Sequence, residues 1–163
     1  MINSVNNYLN EFVLYLAKYK TMSIVAYSVV FQIAMMHIIS IFIFSGSQEG
    51  FKYRSISEHF VAAVIVAPIL ETYIFQKGII NFALLNFKTT KLVAILLSAT
   101  GFGLIHTYSI SYVVVTFFIG ILYGIFYLCF VEKKVDAFWY LTGIHALYNL
   151  YAFVLNTFFL NHV

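Results

Sequence analysis

Three stretches of this chain run for twenty residues or more without a charged side chain: Met22–Phe44, Tyr112–Val131 and Ala137–Leu160. A helix crossing the ~30 Å hydrocarbon layer of a membrane needs about 20 such residues. Hiding three of them in a water-soluble fold would demand a larger interior than 163 residues provide. Composition agrees. Hydrophobic residues make up 63%, aromatics 20% and charged residues 9%, against roughly 45–50% apolar and about 25% charged in soluble domains. One Pro, one Cys and no low-complexity tract exclude collagen, a disulfide scaffold and disorder. The solvent for most of the chain is lipid. The expected fold is all-α, a polytopic transmembrane helix bundle.

Two further windows, Phe60–Ile80 and Leu92–Ile110, bring the expected spans to about five. The second is interrupted by Glu71 and Lys77, and the third is short and carries Gly101 and Gly103. Ahead of them, Val5, Leu9, Phe12, Val13 and Leu16 recur at helical spacing between polar residues. That pattern predicts an amphipathic helix over residues 1–21 lying on the membrane surface. Residues 22–163 then form a single transmembrane domain, because no linker separates parts of it. Lys18, Lys20, Lys77, Lys88, Lys91, Lys133 and Lys134 fall on one side of the spans, and only Lys52 and Arg54 on the other. By the positive-inside rule the amino terminus is cytoplasmic and the carboxyl terminus outside, in a multi-pass protein of the cell membrane. A net charge of +3 is too small and scattered for nucleic acid binding. The first twenty residues lack the pattern of a cleavable signal. Cys129 has no basic neighbour in its run and is not expected to be a nucleophile.

Four polar residues within the windows carry the chemistry: Glu71, His106, His145 and Asn149. A charge at mid-bilayer costs roughly 2.5–3.5 kcal/mol even on the most lenient scale, so such residues face the bundle interior and have partners. A carboxyl and an imidazole held together out of water can trade a proton near neutral pH. Pro68, one turn before Glu71, removes a backbone donor and leaves the carbonyl of Val64 to find another partner. Ser98, Ala99, Gly101 and Gly103 allow close helix approach near His106. Phe102 and His106, like His145 and Asn149, are spaced i, i+4 and share a helix face. His106 lies only ~6–9 Å from the outer end of its window at 1.5 Å per residue. Either the third span runs past Ile110 or the site leans outward. Gln32 and His37 are expected to be interhelical contacts, Glu58 and His59 interfacial, and Gly120-x-x-x-Gly124 a packing face.

Glu71 with its Ala-Pro lead-in, Phe102-x-x-x-His106 and His145-x-x-x-Asn149, in that order on separate hydrophobic spans, resemble the three motifs of the CPBP superfamily. That superfamily comprises CAAX proteases and bacteriocin-processing enzymes and is also called Abi. The resemblance covers roughly residues 60–160. It implies an intramembrane endopeptidase in which Glu71 and His106 activate water while His145 and Asn149 stabilise the oxyanion. The family's first motif usually reads Glu-Glu-x-x-x-Arg; here Thr72 and Gln76 stand at the second Glu and the Arg. A Thr72–Gln76 hydrogen bond is expected to replace that buried ion pair, with Phe102 supporting the second motif.

No cofactor is required by this scheme, although Glu71, His106 and His145 are also a donor set for a divalent metal such as zinc. An alternative is acyl transfer, since the superfamily includes a staphylococcal protein needed for N-acylation of lipoproteins. The Ile-, Asn-, Lys- and Phe-rich usage suits a Gram-positive bacterium. A further alternative is a non-catalytic immunity or scaffold protein. Expected partners are membrane lipids, a membrane peptide, prepeptide or lipoprotein as substrate, and a partner membrane or lipoprotein-processing protein.

Overall fold

The computed structural model of the chain describes residues 2–43 and 55–159. Six helices account for nearly all of them: α1 Ile2–Ala17, α2 Thr21–Ile43, α3 Ile56–Leu85, α4 Lys91–Leu104, α5 Ile110–Glu132 and α6 Ala137–Val154. A wider-wound turn, Leu155–Phe159, extends α6. No strand occurs among the described residues.

Polar side chains set the helix starts. Ser55, Thr90, Ser109 and Asp136 each accept a hydrogen bond from the backbone N–H three residues on, opening α3, α4, α5 and α6. At the end of α5 the chain turns back through Lys134, whose φ of 55° lies in the left-handed region. There Lys134 N–H donates to Val131 O and Val135 N–H to Phe130 O, the paired closure that commonly ends a helix.

Among the described residues α2, α3 and α5 are long and apolar enough to cross a membrane, consistent with a polytopic membrane helix bundle. α5 is the central one: 56% of its most apolar window is buried inside the protein, against 22% for α2 and for α3. Gly120 and Gly124 let α5 lie directly on α4, since a Cβ at Gly120 would come within 2.8 Å of the Ala99 Cα and one at Gly124 within 3.0 Å of Ile95. The Gly120-x-x-x-Gly124 pair is a packing face, as the sequence predicts. α2 is held by two polar contacts. Gln32 Nε2 donates to the Tyr123 hydroxyl at 2.9 Å, and the His37 ring is hydrogen-bonded to the Tyr151 hydroxyl.

The first helix does more than the amphipathic pattern suggests. Val13 is fully buried, and Leu9, Leu16 and Ala17 pack against the same core. Asn6 Oδ1 accepts from Leu92 N–H at the start of α4. Lys133 Nζ donates to the carbonyls of Ala17 and Tyr19 at 3.0 and 2.8 Å, binding the α1–α2 junction to the α5–α6 connection. Two of the lysine-bearing segments thus sit at one end of the bundle. Lys52 and Arg54, the opposing charges of the orientation argument, lie outside the described residues.

The third window departs from expectation. Its helix stops at Leu104, not near Ile110, and α5 starts at Ile110. The His106 ring explains the stop. Its Nδ1 sits 2.7 Å from the carbonyl of Phe102, the acceptor that its own backbone N–H would take in a continuing helix, and that N–H turns instead to Gly103 O. Two glycines in the last turn lower the resistance to such an ending. At 14 residues α4 is about 21 Å long, shorter than the hydrocarbon layer.

Candidate active site

Glu71 sits near the middle of α3, between two segments wound more widely than an α-helix, Val61–Val66 and Thr72–Ile80. Such π-type winding recurs at functional positions in helices. Its local cause is visible at Pro68. The Ala67 N–H reaches Ala62 O, five residues back. In that register the next donor, at position 68, would serve Ala63 O, and proline has none. Asn149 fills the gap from α6: its Nδ2 donates to Ala63 O at 2.8 Å. The orphaned carbonyl is therefore that of Ala63 and not, as α-helical counting predicts, that of Val64.

Around Glu71 the structure gathers the two histidines. Glu71 Oε2 is 3.9 Å from His106 Nε2 and 3.7 Å from His145 Nε2. His145 is buried, and the Glu71 side chain keeps 18% of its exposure. His106 reaches the site from the connection after α4, still against Phe102, with ring centroids 4.8 Å apart. Phe102 is the hub of the aromatic packing and also contacts Phe75, Tyr123 and His145. Asn149 shares the His145 face of α6 but is turned to the carbonyl of Ala63.

The proton positions at His106 follow from its partner. A carbonyl accepts only, so Nδ1 carries the hydrogen and Nε2, facing Glu71, is the basic nitrogen. His145 differs: its Nδ1 is buried without a hydrogen-bond partner among the described residues. A bare ring nitrogen is less costly there than an orphaned N–H, which places the hydrogen on Nε2, toward Glu71.

Thr72 and Gln76 do not form the expected hydrogen bond. Both are fully buried, and Thr72 Oγ1, Gln76 Nε2 and Gln76 Oε1 all lack partners among the described residues. The i, i+4 facing on which that expectation rests belongs to an α-helix, and this stretch has the i→i+5 winding of a π-helix. Sequence reasoning also passed over Tyr123. It is buried on α5, lies 4.9 Å from the His145 ring and is held by Gln32. Only its place next to the Gly120–Gly124 packing face hinted at a core position.

A helical membrane bundle with a carboxylate and two imidazoles facing one another inside it is the arrangement that the resemblance to the CPBP superfamily implies. Residues 54–151 match the family described as type II CAAX prenyl endopeptidase, Rce1-like, over more than half of the chain. The chain belongs to that family, a peptidase-type family by its description. No curated protein and no solved structure matches it.

Glu71, His106 and His145 are donor types that zinc accepts. Among the described residues, however, no three His, Cys, Asp or Glu side chains are grouped so as to hold a metal ion. No step of the proposed reaction is routed through a metal.

Proposed function

We propose that the protein is an intramembrane endopeptidase that cleaves an amide bond in a membrane-bound peptide, prepeptide or lipoprotein. The observation that carries this reading is the convergence of Glu71 Oε2 on His106 Nε2 and His145 Nε2 at 3.9 and 3.7 Å. Both distances exceed a direct hydrogen bond and suit a bridging water.

Glu71 and the basic Nε2 of His106 take a proton from that water as its oxygen attacks the amide carbon. The Nε2–H of His145 donates to the developing oxyanion, a type of contact worth about 2.7–4 kcal/mol in other hydrolases. Asn149 gives one N–H to Ala63 O and has a second for the same oxyanion. Collapse of the intermediate breaks the C–N bond, and the proton held by Glu71 and His106 passes to the leaving amine. One water is consumed, and a carboxylic acid and an amine are released.

A second reading keeps the site and replaces water with an amine, giving acyl transfer to a lipoprotein amino terminus. One observation favours it. An apolar groove of about 220 Å³ runs between α4 and α5, lined by Thr100, Gly103, Leu104, Val113, Val114 and Phe117. Its lining is apolar, as an acyl chain requires, and includes Gly103, three residues before His106 in sequence. The lysine count supports a cytoplasmic amino terminus, and the residue usage a Gram-positive host.

The deciding experiment is mass spectrometry of membrane peptides and lipopeptides from cells with wild-type protein, Glu71→Gln or none. A shortened peptide that appears only with wild type supports hydrolysis; an added acyl mass on a lipoprotein amino terminus supports transfer. If wild type and Glu71→Gln give identical profiles while both are folded in the membrane, a scaffold role takes their place.

A further inference from the structure

Five polar atoms on the three helices that carry the site are sealed from the exterior and have no hydrogen-bond partner among the described residues: Thr72 Oγ1, Gln76 Nε2, Gln76 Oε1, Ser98 Oγ and Thr142 Oγ1. Thr72, Gln76 and Ser98 are fully buried and Thr142 is 6% exposed. The helix directions bring them to one level. α6 runs antiparallel to α3, with Asn149 at Ala63, His145 at Glu71, and Phe138 against Tyr73 and Lys77. α4 is antiparallel to α3 as well, with His106 at Glu71, Phe102 at Phe75, and Gly101 against Phe75 and Ile79. Thr72 and Gln76 follow Glu71, Ser98 precedes Phe102 by one turn, and Thr142 precedes His145 by one turn. All four therefore lie on the same side of Glu71, toward the lysine-bearing end of the bundle.

Native interiors seldom leave such groups unmet, and where protein supplies no partner, ordered water does, typically with about three hydrogen bonds each. Three helices contribute donors and acceptors of both kinds, which suits water better than an ion. All five atoms are closed off from the exterior, which suits water better than any larger solute. We propose that Thr72, Gln76, Ser98 and Thr142 enclose an ordered water cluster directly beside Glu71. Resting on the hydrolytic reading above, this cluster is the nearest supply for the water that Glu71 and His106 activate. It refills the site after each cleavage without opening the bundle. A cluster water also donates to the buried Nδ1 of His145, which keeps the hydrogen on Nε2.

Pulsed hydroxyl-radical footprinting of the full-length protein in H2 18O, read by mass spectrometry, tests this. Radicals formed from a bound water oxidise the side chains touching it even where bulk solvent does not reach. Ile95 and Leu141 are 1% and 0% exposed, Ile95 one turn before Ser98 and Leu141 next to Thr142; Cys129, 0% exposed on α5, is the control for bulk entry. The expected result is 18O at Ile95 or Leu141 in wild type, its loss in Thr72→Val/Gln76→Leu, and none at Cys129 in either. Should that double variant fail to fold, Ser98→Ala and Thr142→Val serve in its place. Absence of label at both probes in wild type, label that survives in the variants, or equal label at Cys129 would each overturn the cluster. Label together with no Glu71-dependent product would leave the cluster standing and remove hydrolysis. Product with no label would do the reverse.

Discussion

Asn149 on α6 donates to the carbonyl of Ala63 on α3 at 2.8 Å, taking the place of the backbone donor that Pro68 lacks. The proline, the wide winding before Glu71 and the asparagine of the third motif are thus one device. It fixes the height of α6 against α3 and with it the place of His145 beside Glu71.

This coupling can be measured. Asn149→Ala is expected to lose about 1 kcal/mol or somewhat more, the usual penalty for a partly buried carbonyl left without its donor. In a Pro68→Ala background the backbone N–H at position 68 can serve Ala63 O, so the same substitution should cost much less. A double-mutant cycle by unfolding in detergent reads the difference. Equal losses in both backgrounds would break the link between Pro68 and Asn149.

Tyr123 offers a separation of packing from hydrogen bonding. Tyr123→Phe keeps the ring against His145 and Phe102 and should lose about 1–3 kcal/mol, because the buried Gln32 amide is left without its partner. Tyr123→Ala should lose about 3–5 kcal/mol through the cavity it leaves, and Glu71-dependent product should fall with it as His145 loses its wall. Gln32→Leu combined with Tyr123→Phe removes both partners and should be milder than Gln32→Leu alone. Thermal unfolding and product formation, measured on the same preparations, check all three.

Two glycines of similar chemistry should answer opposite ways to alanine. At Gly120 a methyl group meets the Ala99 Cα at 2.8 Å, so α4 and α5 must part and the protein loses stability. At Gly143 nothing lies within 4 Å, and the gain in helix propensity should stabilise by roughly 0.5–1 kcal/mol. A Gly120→Ala protein as stable as wild type would contradict the close α4–α5 packing.

On the proposed water-activation scheme, removal of divalent metal should leave Glu71-dependent product unchanged. Product measured before and after chelation, and again with added zinc, checks this. A loss on chelation that zinc restores would replace the water-activation scheme with a metal one.

Membrane residence and helical class were set by the sequence itself, because charge-free runs such as Tyr112–Val131 admit no other solvent at this length. The capping residues Ser55, Thr90, Ser109 and Asp136 are local too, and so are the helix starts they set. The order of Glu71, His106, His145 and Asn149 likewise needs only the chain, since it is a pattern of residue types along spans. Their meeting does not. His106 reaches Glu71 because its ring takes the Phe102 carbonyl and ends α4 early, a competition between side chain and backbone that periodicity does not register. Asn149 turns to Ala63 because a neighbouring helix has a vacant acceptor in a π register. Thr72 and Gln76 stay apart for the same change of winding. Tyr123 is held in the site's wall by Gln32, 91 residues away on another helix. Spacing fixes what one helix presents on one face; which atoms it presents them to depends on hydrogen bonds between helices, and those exist only in the packed bundle.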